Sequence, residues 1–352
     1  MKKLPILTLL FSLSWTMALA NDNPSDYFTN QKQKTLSKSY TVSAKDRLSI
    51  SNKYGKVTIN IWDKNEIKTD VTIIGSANSD EKAQELIETV TIVDVRSDGL
   101  LMFKTEIEQK EDSWWNWSIS NGTKKGVEIN YEVWMPKNNA LSVSNSYGKT
   151  IIGDFSAALT VSSNYGSLQA GNLSGKNKDI KLAYGKATIA GFGEGSIKSS
   201  YSSMEVEKAG NVNLKNSHGS ISFGQVESLN ASLSYSTGKI GKLGSSAKID
   251  VSYGGVDIRA IDKDAKDIDI DASYSSAKLG VNDDNSIDFE VSTHYGGFSS
   301  PSNKTQYTQN SDNERDDKNY SNRKNYKGHL GKNASATKVS VKTSYGSMKF
   351  VE

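Results

Sequence analysis

The sequence predicts an all-β protein: a parallel β-solenoid (β-helix or β-roll) of about ten 17–21-residue coils, behind a β-rich N-terminal cap that holds one short helix. Three observations point there. A Tyr-Gly or Tyr-Ser step recurs at a near-constant interval, apolar residues keep a fixed parity on both sides of it, and 28 Gly stand against four Pro in a chain without cysteine. Short strands and tight turns suit that composition, and periodicity separates them from disorder.

Residues 1–20 read as a secretory signal. Lys2 and Lys3 form a basic start, 4–13 an apolar core and Ala18-Leu19-Ala20 a small-x-small cleavage site. Pro5, Thr8, Ser12 and Ser14 interrupt the apolar run, which is short for a membrane span. No transmembrane segment is expected after cleavage, and the location expected is exported: periplasmic, cell-surface or secreted. Zero Cys removes disulfides, thiolate metal sites and a thiol nucleophile together. Cleavage removes two lysines, so 43 basic residues become 41 against 40 acidic ones, a formal charge of +1. That balance argues against nucleic acid as a partner, because such proteins carry a dominant basic face.

Residues 21–39 are polar and read as a loose lead-in. Residues 40–136 read as the cap together with a first coil, since 48–62 contain the repeat unit in a long form around Tyr54. Strands are expected over 67–74, 89–95, 100–107 and 127–135, with Pro136 closing the block. Between the first two, 79–88 carry acids in the first turn and Ala83, Leu86 and Ile87 on one face, which predicts a short helix. A cap of this kind hides the open sheet edge of a solenoid end.

Residues 137–352 carry the repeat. Its rungs are Tyr147, Tyr165, Tyr184, Tyr201, His218, Tyr235, Tyr253, Tyr274 and Tyr295, at intervals of 18, 19, 17, 17, 17, 18, 21 and 21 residues, and then Tyr345 after 50. Four residues before each rung stands an apolar residue such as Val143, Val161, Ile180, Ile197 or Leu214. Three and five residues after it stand pairs such as Met204 and Val206, or Ile221 and Phe223. Both arms alternate with period two, and the odd offset after the rung switches the inward parity there, as a corner requires. Gly after the rung suits the backbone of that corner. One unit cannot bury its own apolar face, whereas stacked units share a core. Equivalent residues then lie ~4.8 Å apart, so Tyr54 and the later rungs form one ladder. A sandwich of antiparallel hairpins also suits short, evenly spaced strands, but the fixed corner residue favours the solenoid. Residues 299–338 are nearly devoid of apolar side chains and read as a disordered insertion projecting from the last coil.

With Asn52-Lys53-Tyr54-Gly55-Lys56-Val57-Thr58-Ile59, the helix-bearing insertion, the strand end Val133-Trp134-Met135-Pro136 and the restart at Asn145-Ser146-Tyr147-Gly148-Lys149, the chain resembles the bacterial putative-adhesin domain family over about residues 40–300. The resemblance implies export and a solenoid of repeated coils, and transfers no catalytic residue. The Trp-rich segment and the late polar insertion depart from the family pattern.

Three tryptophans, Trp114, Trp115 and Trp117, lie between two cap strands. Indole faces make platforms for sugar rings or a partner surface, and they also supply the apolar area that covers a solenoid end. Both roles stay open. The ladder likewise fixes register in its simplest role and offers an aromatic strip to a sugar or protein in the other. Asp267, Asp269 and Asp271 alternate onto the solvent face of one strand near Asp262 and Asp264, a solvated row without the Gly-rich calcium repeat. His218, His294 and His329 stand in no metal-ligand spacing and beside no nucleophile motif, and 191–195 lack the strand-to-helix context of a phosphate loop. No catalytic residue, metal or cofactor is expected. The function expected is a non-catalytic, adhesin-like surface or periplasmic protein that contacts a glycan, a cell-envelope component or another protein. The alternatives are a carbohydrate-active enzyme on a β-helix, or an envelope-stress or assembly accessory.

Overall fold

The computed structural model describes residues 30–108, 126–301, 303–311, 322–331 and 337–352. Strict apolar alternation over most of them makes strands, because residues i and i+2 share a face. The chain is all-β, with one open 23-stranded sheet and one helix among the described residues. Its pairing is mixed, with antiparallel strands at both ends, where the sequence predicts a parallel solenoid behind a cap. The reason is edge protection: stacked parallel coils leave an open edge at each end, and strands folded back antiparallel cover it.

The N-terminal block comprises β1 (Asn30–Thr41), β2 (Arg47–Lys53), β3 (Val57–Trp62), β4 (Glu66–Ala77), α1 (Asp80–Glu88), β5 (Val90–Ser97), β6 (Leu100–Ile107) and β7 (Gly126–Pro136). β2 and β3 are the two arms of the first coil. β6 lies parallel beside β2, and β5 folds back antiparallel on β6. On the other face β7 lies parallel beside β3, then β4 and β1 follow antiparallel. The Ser79 hydroxyl caps α1 by accepting the Lys82 amide, Asp80 and Glu81 face the positive end of its dipole, and Ala83 and Ile87 are buried. The helix lies so close to β4 that a Cβ on Gly75 would stand 2.2 Å from the Ala83 carbonyl oxygen. The loose lead-in expected over 21–39 is corrected from Asn30 onward. That segment is β1, whose only apolar contributions to the core are Leu36 and Tyr40, so backbone pairing with β4 orders a sequence with little hydrophobic signal.

The stack continues through β8 (Ala140–Ser146), β9 (Lys149–Ile152), β10 (Leu159–Asn164), β11 (Ser167–Leu173), β12 (Lys178–Ala183), β13 (Lys186–Ser200), β14 (Ser203–Ser252), β15 (Gly255–Ile258), β16 (Asp267–Ser273) and β17 (Ser276–Gly280). β13 and β14 run on through corners. All these coils pair parallel and in register, so that Val143, Val161, Ile180, Ile197 and Leu214 fall into one buried column. The opposite arms contribute a second column, with Leu168, Ala187 and Met204. The core lies between the two faces.

The C-terminal end holds β18 (Ile287–His294), β19 (Gly297–Ser299), β20 (Thr305–Asn310), β21 (Arg323–Leu330), β22 (Thr337–Ser344) and β23 (Ser347–Val351). β22 pairs parallel with β16 on one side and β18 on the other, while β23 lies between β17 and β19. The last coil in sequence is therefore inserted one place before the end of the stack. β21 then covers the outer edge of β18 antiparallel, and β20 covers β21. The disordered insertion expected over 299–338 is corrected where it is described: 305–310 and 323–330 are strands, and Tyr326 and Leu330 are buried in the core. Residues 302, 312–321 and 332–336 of that stretch, and the signal expected over 1–20, lie outside the described residues.

Candidate functional site

The rung residues meet at one corner of the stack. In spatial order they are Tyr54, Tyr147, Tyr165, Tyr184, Tyr201, His218, Tyr235, Tyr253, Tyr274, Tyr345 and Tyr295, with ring centroids 4.6–5.3 Å apart. Beyond the first pair the ring planes are parallel within 9°. Rung amides donate to carbonyls of the neighbouring coil, as Tyr165 does to Ala183 at 2.9 Å, and at the end of the file Tyr295 donates to Asn322. All eleven have positive φ, from 48° to 59°. That left-handed conformation costs a residue with a Cβ roughly 1–2 kcal/mol, and stacked ring pairs contribute ~0.5–1.5 kcal/mol in return. Most tyrosine rings are about half exposed. Their faces lie against one another, so the ladder offers solvent its edges and phenol hydroxyls, not the flat platform a sugar ring requires.

The rung, and not the glycine after it, carries the left-handed backbone, which corrects the conformational role expected for that glycine. A close approach accounts for it: a Cβ on Gly148 would stand 1.8 Å from the Gly55 carbonyl oxygen, and on Gly166 2.1 Å from that of Gly148. Three coils place serine there. Ser202, Ser236 and Ser275 each donate to the carbonyl two residues back at 2.7 Å, and the hydroxyls of Ser202 and Ser275 accept the amides of Gly185 and Gly254. Each such serine is flanked in the stack by coils with glycine.

Two residues before the rung, the inward position is polar in many coils. Asn145 donates to the Gly55 and Lys149 carbonyls and to the Thr150 hydroxyl, at 3.1–3.3 Å. In the cap, Asn52 donates to the Ile129 carbonyl and accepts from Thr105, whose hydroxyl also meets that of Tyr131 at 2.9 Å. Burial pushes the Tyr131 phenol up to about 12. The side-chain amide of Asn216 and the hydroxyls of Ser163, Ser199 and Thr343 meet no hydrogen-bond partner among the described residues. One further inward position, six before the rung, holds Lys178 in a column with Leu141 and Leu159 on one side and Gly195 and Val212 on the other. Its ammonium donates to the Ser156, Ala157 and Lys176 carbonyls, and burial holds its pKa below the usual lysine value.

Outside the core, the strand faces carry long polar rows. Asp267, Asp269 and Asp271 are exposed, with Lys338 and Lys342 in register opposite the first and last. Asp262 pairs with Lys242 at 2.6 Å, and that ammonium holds its carboxyl below the usual range. The described residues contain no group of three or more His, Asp or Glu placed to hold a metal ion. His218 is a rung, and His294 packs beside Tyr295 at 4.5 Å. His329, which stands beside no nucleophile motif in sequence, lies with Nδ1 2.9 Å from Asp288 and Nε2 3.4 Å from the Ser286 hydroxyl, a grouping that only the fold brings together. Asp288 and His329 oppose one another directly in the β18–β21 register, and the carboxylate is more than half exposed. The contacts tie β21 to β18 and to the residue before it, and the hydroxyl lies beyond the ~2.6–3.2 Å reach usual for a serine paired with its base.

Trp114, Trp115 and Trp117 lie outside the described residues. The strand before them, β6, ends near the first rung, and the strand after them, β7, begins there, where the Ile129 amide donates to the Tyr54 carbonyl. Two shallow grooves flank the outward position three before the rung. One, of about 420 Å³, is lined by Lys181, Lys198, Lys215, Asn164, Ser200 and Ser217, and the other, of about 270 Å³, by Ser196, Asn213 and Asn230 with Lys198 and Lys215.

No family model matches the chain, and no curated protein matches it. Solved structures do. A putative adhesin from Parabacteroides merdae is similar over 91% of this chain and 97% of its own, at 11% identity and a TM-score of 0.34. A putative lipid binding protein from Parabacteroides distasonis is similar over 90% and 97%, at 11% identity and 0.34. A putative adhesin from Bacteroides fragilis is similar over 90% and 97%, at 11% identity and 0.32. Proteins described as adhesins are thus among the structures this chain is similar to. No helix among the described residues is long and apolar enough to cross a membrane.

Proposed function

We propose that this chain is an exported, adhesin-like, non-catalytic protein in which a capped β-solenoid holds rows of polar side chains in register for contact with an extended partner at the cell envelope. The observation that carries the reading is the unbroken file of rungs from Tyr54 to Tyr295. A rigid stack repeating every ~4.8 Å turns any side chain shared by neighbouring coils into a linear array, which suits a partner that is itself linear and repetitive. Residues 1–20 direct export in this reading. The tryptophans at 114, 115 and 117 either extend the contact surface or cover the N-terminal end.

The purified chain from residue 21 is expected to bind isolated cell-envelope material or a glycan array, and to leave polysaccharide and ester panels uncleaved. Ester cleavage that disappears in Ser286→Ala would overturn the non-catalytic reading and assign chemistry to the Ser286, Asp288 and His329 group.

A further inference from the structure

Three lysines occupy one outward position, three before the rung, on three consecutive coils. Lys181 lies in register with Lys198, and Lys198 with Lys215. All are exposed. Like charges directly opposite on neighbouring strands are disfavoured by folding alone. Here they are barely compensated: Lys181 has Asp179 at 3.5 Å, whereas Lys198 and Lys215 form no ion pair among the described residues. The row is also bounded. The same position holds Ser162 before the three lysines and Ser232 after them, and then turns acidic at Asp250 and Asp271.

Around the row, the two grooves run on either side of the lysines. Their walls bring Asn164, Ser200 and Ser217 on the ladder side, and Ser196, Asn213 and Asn230 on the other, where the groove also reaches the Asp250 carboxylate beyond the last lysine. Ammonium groups repeating along one axis, flanked by hydroxyl and amide side chains, form an array that pairs with anions while hydrogen-bonding uncharged hydroxyls beside them. A polysaccharide with a carboxylate on every sugar presents those two chemistries in alternation. Its anions recur along a linear chain, as the lysines recur along the stack every ~4.8 Å. The near-balanced charge of the whole chain and the carboxylates that bound the row disfavour a polynucleotide, which calls for a dominant basic face.

We propose that the face carrying Lys181, Lys198 and Lys215 binds a linear acidic polysaccharide of the polyuronate class, lying along the stack axis with its carboxylates against the lysine row. The proposal rests on the binding reading above and gives it a ligand class and a place.

The test measures binding of sodium polygalacturonate to the chain from residue 21 by calorimetry, with neutral dextran and oligodeoxythymidylate as comparison polymers. Serine is what neighbouring coils carry at this position, so the triple variant Lys181→Ser, Lys198→Ser, Lys215→Ser should keep its melting temperature. Its affinity for polygalacturonate is expected to fall by about tenfold or more, from the loss of three exposed charge contacts. A variant altered on the other face, Lys278→Ser with Lys349→Ser, should bind as the parent does. Dextran should not bind, and added salt should weaken the polygalacturonate complex. Equal affinity of parent and triple variant overturns the site, and equal affinity for oligodeoxythymidylate overturns the ligand class. A chain that binds envelope material but not polygalacturonate removes this inference and leaves the proposed function standing. A chain that binds neither removes both.

Discussion

Tyr201 sits at φ 48° with Tyr184 stacked on one side and His218 on the other, at 5.0 and 4.6 Å. The strain of that backbone and the attraction of the rings act in opposite directions, so two substitutions separate them. Tyr201→Ala keeps the strain and loses both stacks, which should cost about 1–3 kcal/mol. Tyr201→Gly loses the stacks but relaxes the backbone, and should unfold at a urea concentration no lower than the Ala variant despite glycine's freer unfolded chain. If alanine proves clearly the more stable, strain at the rung is negligible. Asn216 is the converse case, an amide buried without a partner in a column where Leu182 and Leu233 hold the same place. Asn216→Leu should therefore raise the thermal midpoint, with a gain of about 1 kcal/mol, and a lowered midpoint would show that the amide is satisfied in solution. At Lys178, replacement by Met strands three carbonyls and should cost about 1–3 kcal/mol. Because burial lowers the pKa of Lys178, the unfolded chain binds more protons just below the usual lysine value. This group's contribution to stability therefore grows as pH rises through that window, an increment the Met variant lacks in urea titrations at alkaline pH. The rung tyrosines were legible in the sequence because their interval repeats. Lys178 was not, since a lysine at an inward position reads as a lapse in alternation until its carbonyl partners are located.

At the scale of elements, the repeat fixes which residues align within a coil but says nothing of the order in which coils stack. Ser344-Tyr345-Gly346 carries the same signature as its neighbours, and only the pairing of β22 with both β16 and β18 places it ahead of Tyr295. β1 was illegible for a different reason: an edge strand buries little, so its apolar alternation reduces to Leu36 and Tyr40. α1 was readable because a capping serine, acids in its first turn and an apolar face all agree. The Trp114, Trp115 and Trp117 segment lies between β6 and β7 in sequence, and its two roles predict opposite outcomes. As a contact surface, the triple change to Ala should weaken attachment to envelope material and leave the melting temperature nearly unchanged. As a cover for the stack end, it should cost ~3–5 kcal/mol for each buried indole, enough to unfold or aggregate the N-terminal block. Melting and pull-down measured on the same preparation decide between them.

A stack of parallel coils is, as a whole, a sheet with two ends, and its solubility depends on how those ends are finished. At the C-terminal end β21 and β20 cover one face, and the other ends on β19, a strand of only three residues that offers little to pair with. At the N-terminal end the two faces finish on β5 and on β1. β1 places Lys32, Lys34 and Lys38 along the outermost edge, and charged side chains there discourage another chain from adding on. Beneath it β4 is long and regular, with Ile67, Val71 and Ile73 buried along its length. Removing residues 21–41 would strip away the charged edge strand and leave β4 with a free row of amides and carbonyls over twelve residues. Such an edge is a template for pairing with a second copy. The truncated chain should therefore form dimers or larger species in light scattering at concentrations where the chain from residue 21 is monomeric. Deleting residues 312–321, between β20 and β21 in sequence, should leave the oligomeric state unchanged and serves as the control. A truncated chain that stays monomeric would show that β1 is dispensable as an edge guard, and that the stack is kept soluble by other means.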